Sequence, residues 1–176
     1  MEKARPVSLK EIRIRDNFWD KYRRLVREEI LKYQWCAMND QIEGAPKSHC
    51  IENFRIAAGE KQGEFYGAVF QDSDVAKWLE AVAYTLAEKP DKELKKLADS
   101  VIELIGRAQE PDGYFNTYFI LKEPGQRFRN LREGHELYTL GHMIEAAVAY
   151  KRATGEKRFL EIVQKIVIPI LPVYIA

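Results

Sequence analysis

The chain has 176 residues, with 28 Lys plus Arg against 27 Asp plus Glu, a net charge of +1 and 46% apolar residues. Near-neutral charge without a basic block excludes a nucleic-acid binder that works by general electrostatic attraction, and plentiful aromatic and branched residues exclude a disordered chain. No apolar run approaches the roughly 20 residues of a membrane helix, and the opening Met1–Pro6 lacks the apolar stretch of a secretory signal.

In chain order, Val7, Leu9, Ile12 and Ile14 alternate weakly, which predicts an extended arm or short strand. From Phe18, the series Trp19, Tyr22, Val26, Ile30 and Tyr33 follows a three-to-four spacing and predicts a helix. Cys36 and Cys50 form no CxxC pair. They read as free, partly buried thiols, with a cytoplasmic location as the default. Residues 36–68 have no steady period and carry five glycines or prolines, so a long ordered loop with one helical turn is expected.

Asp72-Ser73 then opens a helix with the stripe Val75, Trp78, Leu79, Val82, Ala83 and Leu86. Pro90-Asp91 ends it and starts another, with Leu94, Leu97, Val101, Leu104, Ile105 and Ala108 on one face. The Asp112-Gly113 turn predicts a short strand or hairpin near 113–119. A helix over about 134–153 carries Leu137, Leu140, Ile144, Ala147 and Val148, and a further helix starts at Lys157. The chain is therefore all-α, built from antiparallel helical hairpins at 73–109 and 135–165. Short turns at 89–91 and 154–156 must lie at one end of the helix layer. The longer connections then gather Asp72, Asp74, Asp112–Tyr114 and His135 at the other, where rigid helices can support a ligand site.

His135-Glu136-Leu137-Tyr138-Thr139 starts like HExxH, but Thr139 stands where the second His belongs, which removes the zinc-protease reading. His135 and His142 share a helix face but lie ~10 Å apart along the axis, too far for one ion to bridge easily. Tyr138 and Glu145 continue their stripe, which suits a polar cavity or hydrogen-bonded core histidines. Asp72 and Asp74 suit helix capping, or paired-carboxylate chemistry. Tyr114, Phe115, Tyr118 and Phe119 beside Asn116 suit stacking on a sugar or closure of the core at a loop.

The segments Gly59–Phe65, Asp72–Ala81, Gln109–Phe119, His135–Tyr138 and Gly141–Ala147, in this order, are similar to the N-terminal part of the β-L-arabinofuranosidases of glycoside hydrolase family 127. The resemblance spans residues 7–165. It implies the first part of an (α/α)6 barrel, making 1–176 the N-terminal fragment of a catalytic domain that removes terminal β-L-arabinofuranose from plant-type glycans with retention. It also implies a cysteine nucleophile in a zinc site of three cysteines and a glutamate, with a second glutamate as acid/base. Cys36 and Cys50 do not match that cluster, so no catalytic residue and no metal ligand is assigned in this chain, and the chain alone is expected to be inactive. The resemblance carries over His135, and with it Asp74, Tyr114, Asn116 and His142, as substrate-binding positions. An arabinofuranose-containing glycan is then the partner, with neither nucleic acid nor membrane, and self-association through exposed barrel helices is expected. A helical interaction module and another (α/α)6 sugar-active enzyme are the alternatives.

Residues 166–176 carry no charge and two prolines, an atypical tail that suggests a frame change near Lys165 or a truncation. Proline costs ~3 kcal/mol inside a helix, so the last helix is expected to fail by Ile168.

Overall fold

The computed structural model describes the backbone of residues 7–175 and the side chains of 7–167. The composition of the tail from Ile168 onward lies outside the residues whose side chains are described. The helices are α1 (Asn17–Leu25), a π-helical turn (Val26–Ile30), α2 (Leu31–Met38), α3 (Cys50–Ala57), α4 (Asp72–Glu88), α5 (Lys92–Ala108), α6 (Thr117–Leu121), α7 (Glu136–Thr154) and α8 (Arg158–Ile175). Short 3-10 turns occupy Leu9–Glu11 and Pro124–Gln126. No strand occurs among the described residues.

Local chemistry sets the helix ends. Asp91 Oδ1 accepts from Leu94 N at 3.0 Å and starts α5. Gly155, at φ 85°, ends α7 by donating its N–H to the Lys151 carbonyl at 2.8 Å, a left-handed conformation that glycine adopts at no steric cost. These caps make the connections α4–α5 and α7–α8 short and force antiparallel hairpins. Lys95 on α5 reaches Glu156 in the α7–α8 turn at 3.5 Å, so both turns lie at one end, as the connection lengths require.

The core lies between α4 and α7, which pack along their length, with α5 and α8 behind them. Val75, Leu79, Val82 and Ala83 of α4 meet Met143, Ala146, Ala147 and Tyr150 of α7, all essentially inaccessible. Alanines on both faces let the two backbones approach closely. The Tyr150 hydroxyl donates to Asp99 Oδ1 at 2.6 Å and ties α7 to α5. Trp78 Nε1 donates to the Leu31 carbonyl at 3.0 Å, and its ring lies 5.2 Å from that of Trp35, which seats α2 on α4.

Several expectations change. The hairpin near 113–119 is absent. Asn116 Oδ1 accepts from Phe119 N at 3.4 Å and caps α6, so the aromatic run coils instead of extending. The arm at 7–18 contains a 3-10 turn rather than a strand. Residues 36–68 contain the two-turn helix α3, whose Cys50, Ile51 and Phe54 are buried. Asn53 of that helix exchanges two hydrogen bonds with the Tyr66 backbone, at 2.8 and 3.2 Å, and so orders the loop that follows. Leu137 is exposed, because the buried face of α7 runs through Glu136, Thr139, Leu140 and Met143. α8 continues past Ile168 to Ile175; a proline removes one rung of a helix and bends it without having to end it.

α1 buries no residue: Phe18 and Trp19 are 59% and 56% exposed, and Tyr22 and Leu25 also face outward. After the π turn the same rod buries Leu31 and Met38.

Gly113 has φ 91°, and a Cβ there would lie 2.5 Å from the Lys165 carbonyl oxygen on α8. Gly113→Ala is expected to destabilise the chain by more than about 2 kcal/mol, since strain and a backbone clash add. Urea denaturation measures this; an unchanged midpoint would show that the 110–114 turn does not rest on α8.

Candidate functional site

The long connections meet at the end of the layer opposite the two short turns, and a buried carboxylate joins them. Asp72, the first residue of α4, is not a helix cap; the preceding Gln71 holds that position without a side-chain bond. Asp72 turns inward instead, and its two oxygens accept the backbone N–H and the hydroxyl of Thr117, each at 2.6 Å. This fixes the start of α6 against the start of α4.

Beside it, the Tyr114 hydroxyl donates to Glu136 Oε1, and Phe128 N donates to Glu136 Oε2 at 2.7 Å. The Arg127 guanidinium stacks 4.1 Å above the Tyr114 ring and pairs with Glu110 and, at 3.3 Å, with Asp112. Burial pushes the Glu136 carboxyl above its usual range, against the pull of its hydrogen bonds and of Arg127. Burial and the Glu136 bond raise the Tyr114 hydroxyl far above its usual value, so it stays a donor. Tyr114 and Asn116 are only 3% and 5% exposed: the Tyr114 hydroxyl is committed to Glu136 and Asn116 Oδ1 to the α6 cap, while Asn116 Nδ2 is buried without a partner. They shape the site from beneath.

His135 sits on top. It precedes α7 at φ 54°, and its Nδ1 lies 2.7 Å from the Glu133 carbonyl. If that nitrogen carries the proton, as the bond requires, Nε2 is the acceptor. Phe70 and Tyr138 flank the ring at centroid distances of 5.4 and 5.9 Å. Tyr138 in turn meets His142 edge-on at 4.6 Å, and Lys77 Nζ stands 5.2 Å from the Tyr138 centroid. The stripe His135–Tyr138–His142–Glu145 is thus a half-open polar and aromatic face on α7, beside Lys77 and Glu80 of α4.

Asp74 is half-exposed on α4, 3.6 Å from Lys77 Nζ and 3.4 Å from Gln71 Nε2. Asp74 and Lys77 also line an open cleft of about 310 Å³ with Gln34, Ser48, Cys50 and Trp78. The structure therefore divides the candidate residues. His135, His142 and Asp74 are accessible, whereas Tyr114 and Asn116 are internal. The Asp72–Thr117 and Tyr114–Glu136 bonds are long-range pairs that sequence spacing does not reveal. A weak signal existed in the first-turn acids of α4 and α7, which dipole stabilisation explains equally well.

Burial pushes Asp72 up to about 7, partly offset by the two Thr117 bonds. A raised folded pKa means that its contribution to stability is complete below about pH 4 and is lost as the pH rises through about 7. Asp72→Asn keeps an acceptor and a donor for Thr117 but cannot ionise. Its stability relative to the parent should therefore climb by several kcal/mol between pH 4.5 and 8 in urea titrations. A constant difference would place Asp72 at an ordinary carboxylate pKa.

Three comparisons bear on this arrangement. The family model described as β-L-arabinofuranosidase, GH127 catalytic domain, matches residues 11–167. A non-reducing end β-L-arabinofuranosidase of Bifidobacterium longum subsp. longum is 44% identical, with 88% of this chain and 26% of that protein aligned. The crystal structure of a GH127 β-L-arabinofuranosidase from Geobacillus stearothermophilus T6 superposes with a TM-score of 0.88 at 65% identity, covering 90% of this chain and 25% of the other. A second solved GH127 β-arabinofuranosidase gives a TM-score of 0.83 at 34% identity, covering 95% and 27%. The chain thus spans about a quarter of the length of the relatives it matches.

Proposed function

The chain belongs to the GH127 β-L-arabinofuranosidase family, and from that premise we propose that it forms the N-terminal part of an (α/α)6 catalytic domain that releases β-L-arabinofuranose from the non-reducing ends of glycans. The observation that carries the proposal is the accessible His135, held in a strained backbone position with its ring wedged between Phe70 and Tyr138. A left-handed non-glycine residue next to a helix start costs of order 1–3 kcal/mol, and such strain clusters where a side chain must be aimed. Aromatic walls beside a polar ring suit a furanose, whose faces are apolar and whose hydroxyls need hydrogen-bond partners.

In this reading His135 bonds a ring hydroxyl, with Asp74 and His142 bordering the same open face. Tyr114 and Asn116 act one layer down. Tyr114 holds Glu136 at the first turn of α7, and Asn116 caps α6. The two free thiols suit a reducing, cytoplasmic setting, and no helix among the described residues is long and apolar enough to cross a membrane.

The zinc site of three cysteines and a glutamate that the family resemblance implies does not fit the residues present. Cys50 is buried, accepts from Gln71 Nε2 at 3.0 Å, and burial pushes its thiol up to about 11. Neither Cys36 nor Cys50 joins a cluster of three potential ligands among the described residues. A thiol that keeps its proton at neutral pH is a poor nucleophile. The residues of this chain therefore bind and orient the sugar, and the bond-breaking groups belong elsewhere in the catalytic domain.

The chain alone should not turn over an aryl β-L-arabinofuranoside. Substituted for the matching quarter of the 65%-identical Geobacillus enzyme, it should support turnover, and His135→Ala in that chimera should lower kcat/KM roughly 10- to 100-fold, the cost of one or two lost hydrogen bonds to a sugar. An active chimera indifferent to His135→Ala would remove that residue from the sugar site. In sedimentation the isolated chain should self-associate through the exposed aromatic face of α1; a monomer at all concentrations would count against that.

A further inference from the structure

We propose that Glu80, His142 and Glu145 form a divalent-cation site, suited to Zn²⁺, that staples α4 to α7. The site shares His142 with the stripe that borders the sugar face, but it is argued from its own donor set and its test reads metal binding, not turnover. Glu80 comes from α4, and His142 and Glu145 come from successive turns of α7. One ligand atom of each lies within 4.8 Å of the others. A tetrahedral ion with bonds of about 2.0–2.2 Å holds its donors about 3.3–3.6 Å apart. Closure by about an ångström is within reach of glutamate rotamers, since Glu145 is exposed and Glu80 half-exposed.

No lysine or arginine of the described residues pairs with either carboxylate. Among the described residues the Glu80 carboxylate has no ion-pair partner and takes its hydrogen bond from the Tyr84 hydroxyl at 2.6 Å. Glu145 has only His142 Nδ1, at 3.2 Å. That nitrogen is shielded from solvent and has no hydrogen-bond partner of good geometry, so its closeness to Glu145 is proximity rather than a formed bond. Two under-neutralised carboxylates and an orphaned imidazole nitrogen are what a bound cation would satisfy.

The donor set selects the metal. Imidazole with two carboxylates and a free position for water suits Zn²⁺, whereas Ca²⁺ and Mg²⁺ prefer six or more oxygens. Tyr84 orients Glu80, and the Tyr138 ring fixes the plane of the imidazole. Ligation through Nδ1 leaves Nε2 of His142 for other contacts.

The test is equilibrium dialysis of the chain against Zn²⁺. One ion per chain is expected, with binding weakened at least roughly tenfold by Glu80→Gln and by His142→Ala. Glu145→Gln, at an exposed position, should do the same, which keeps the test open if either other variant fails to fold. Cys36→Ser/Cys50→Ser should bind normally, and Co²⁺ should give ligand-field bands without a thiolate charge-transfer band. Binding that survives His142→Ala and Glu145→Gln, or that disappears with the cysteines, would overturn the site, as would no binding at all.

Discussion

The functional end of this molecule depends on one buried carboxylate. Asp72 accepts both polar hydrogens of Thr117, and this single contact fixes the start of α6 on the start of α4. Tyr114, three residues before Thr117, is thereby set below α7, where its hydroxyl meets Glu136. Glu136 in turn holds Phe128 and the loop between α6 and α7. His135 is the residue before Glu136, so its position is the last step of a chain of contacts that begins 63 residues earlier in the sequence at Asp72. Each of these polar groups is buried, so each must be paired for the others to be tolerated.

The parts of the fold legible in the sequence are those set by local chemistry. Asp91 before an apolar period and Gly155 after one mark helix ends through backbone bonds that close within a few residues. The two hairpins, and the segregation of short and long connections to opposite ends, follow from those marks alone. The segment 113–121 was misleading for a matching reason. Aromatic residues after Asp-Gly suit a strand, yet Asn116 supplies a helix cap and Asp72 supplies the tertiary anchor. The anchor lies 45 residues away, so no local window contains it. α3 is expected from sequence only as one helical turn, because eight residues with one buried asparagine show too little period to reveal its full length.

The site was legible in part. The ordered motifs pointed to the correct family, and the helical period placed His135, Tyr138, His142 and Glu145 on one stripe, as observed. What sequence could not separate was contact from support. Tyr114 and Asn116 sit in the same motif region as the accessible residues, yet both are buried, with the Tyr114 hydroxyl and Asn116 Oδ1 bonded inside the protein. Periodicity reports which face a residue occupies, and only the packing decides which way that face looks.

The π turn at Val26–Ile30 has an effect that reaches beyond its five residues. One extra residue per turn rotates everything before it relative to everything after it. Phe18, Trp19 and Tyr22 consequently look away from the body on which Leu31 and Trp35 are seated. The rod is continuous as a hydrogen-bonded helix but behaves as two opposed adhesive strips. One half clasps α4 while the other keeps its aromatic side chains exposed, and the phase between the two strips is set across one π-helical turn.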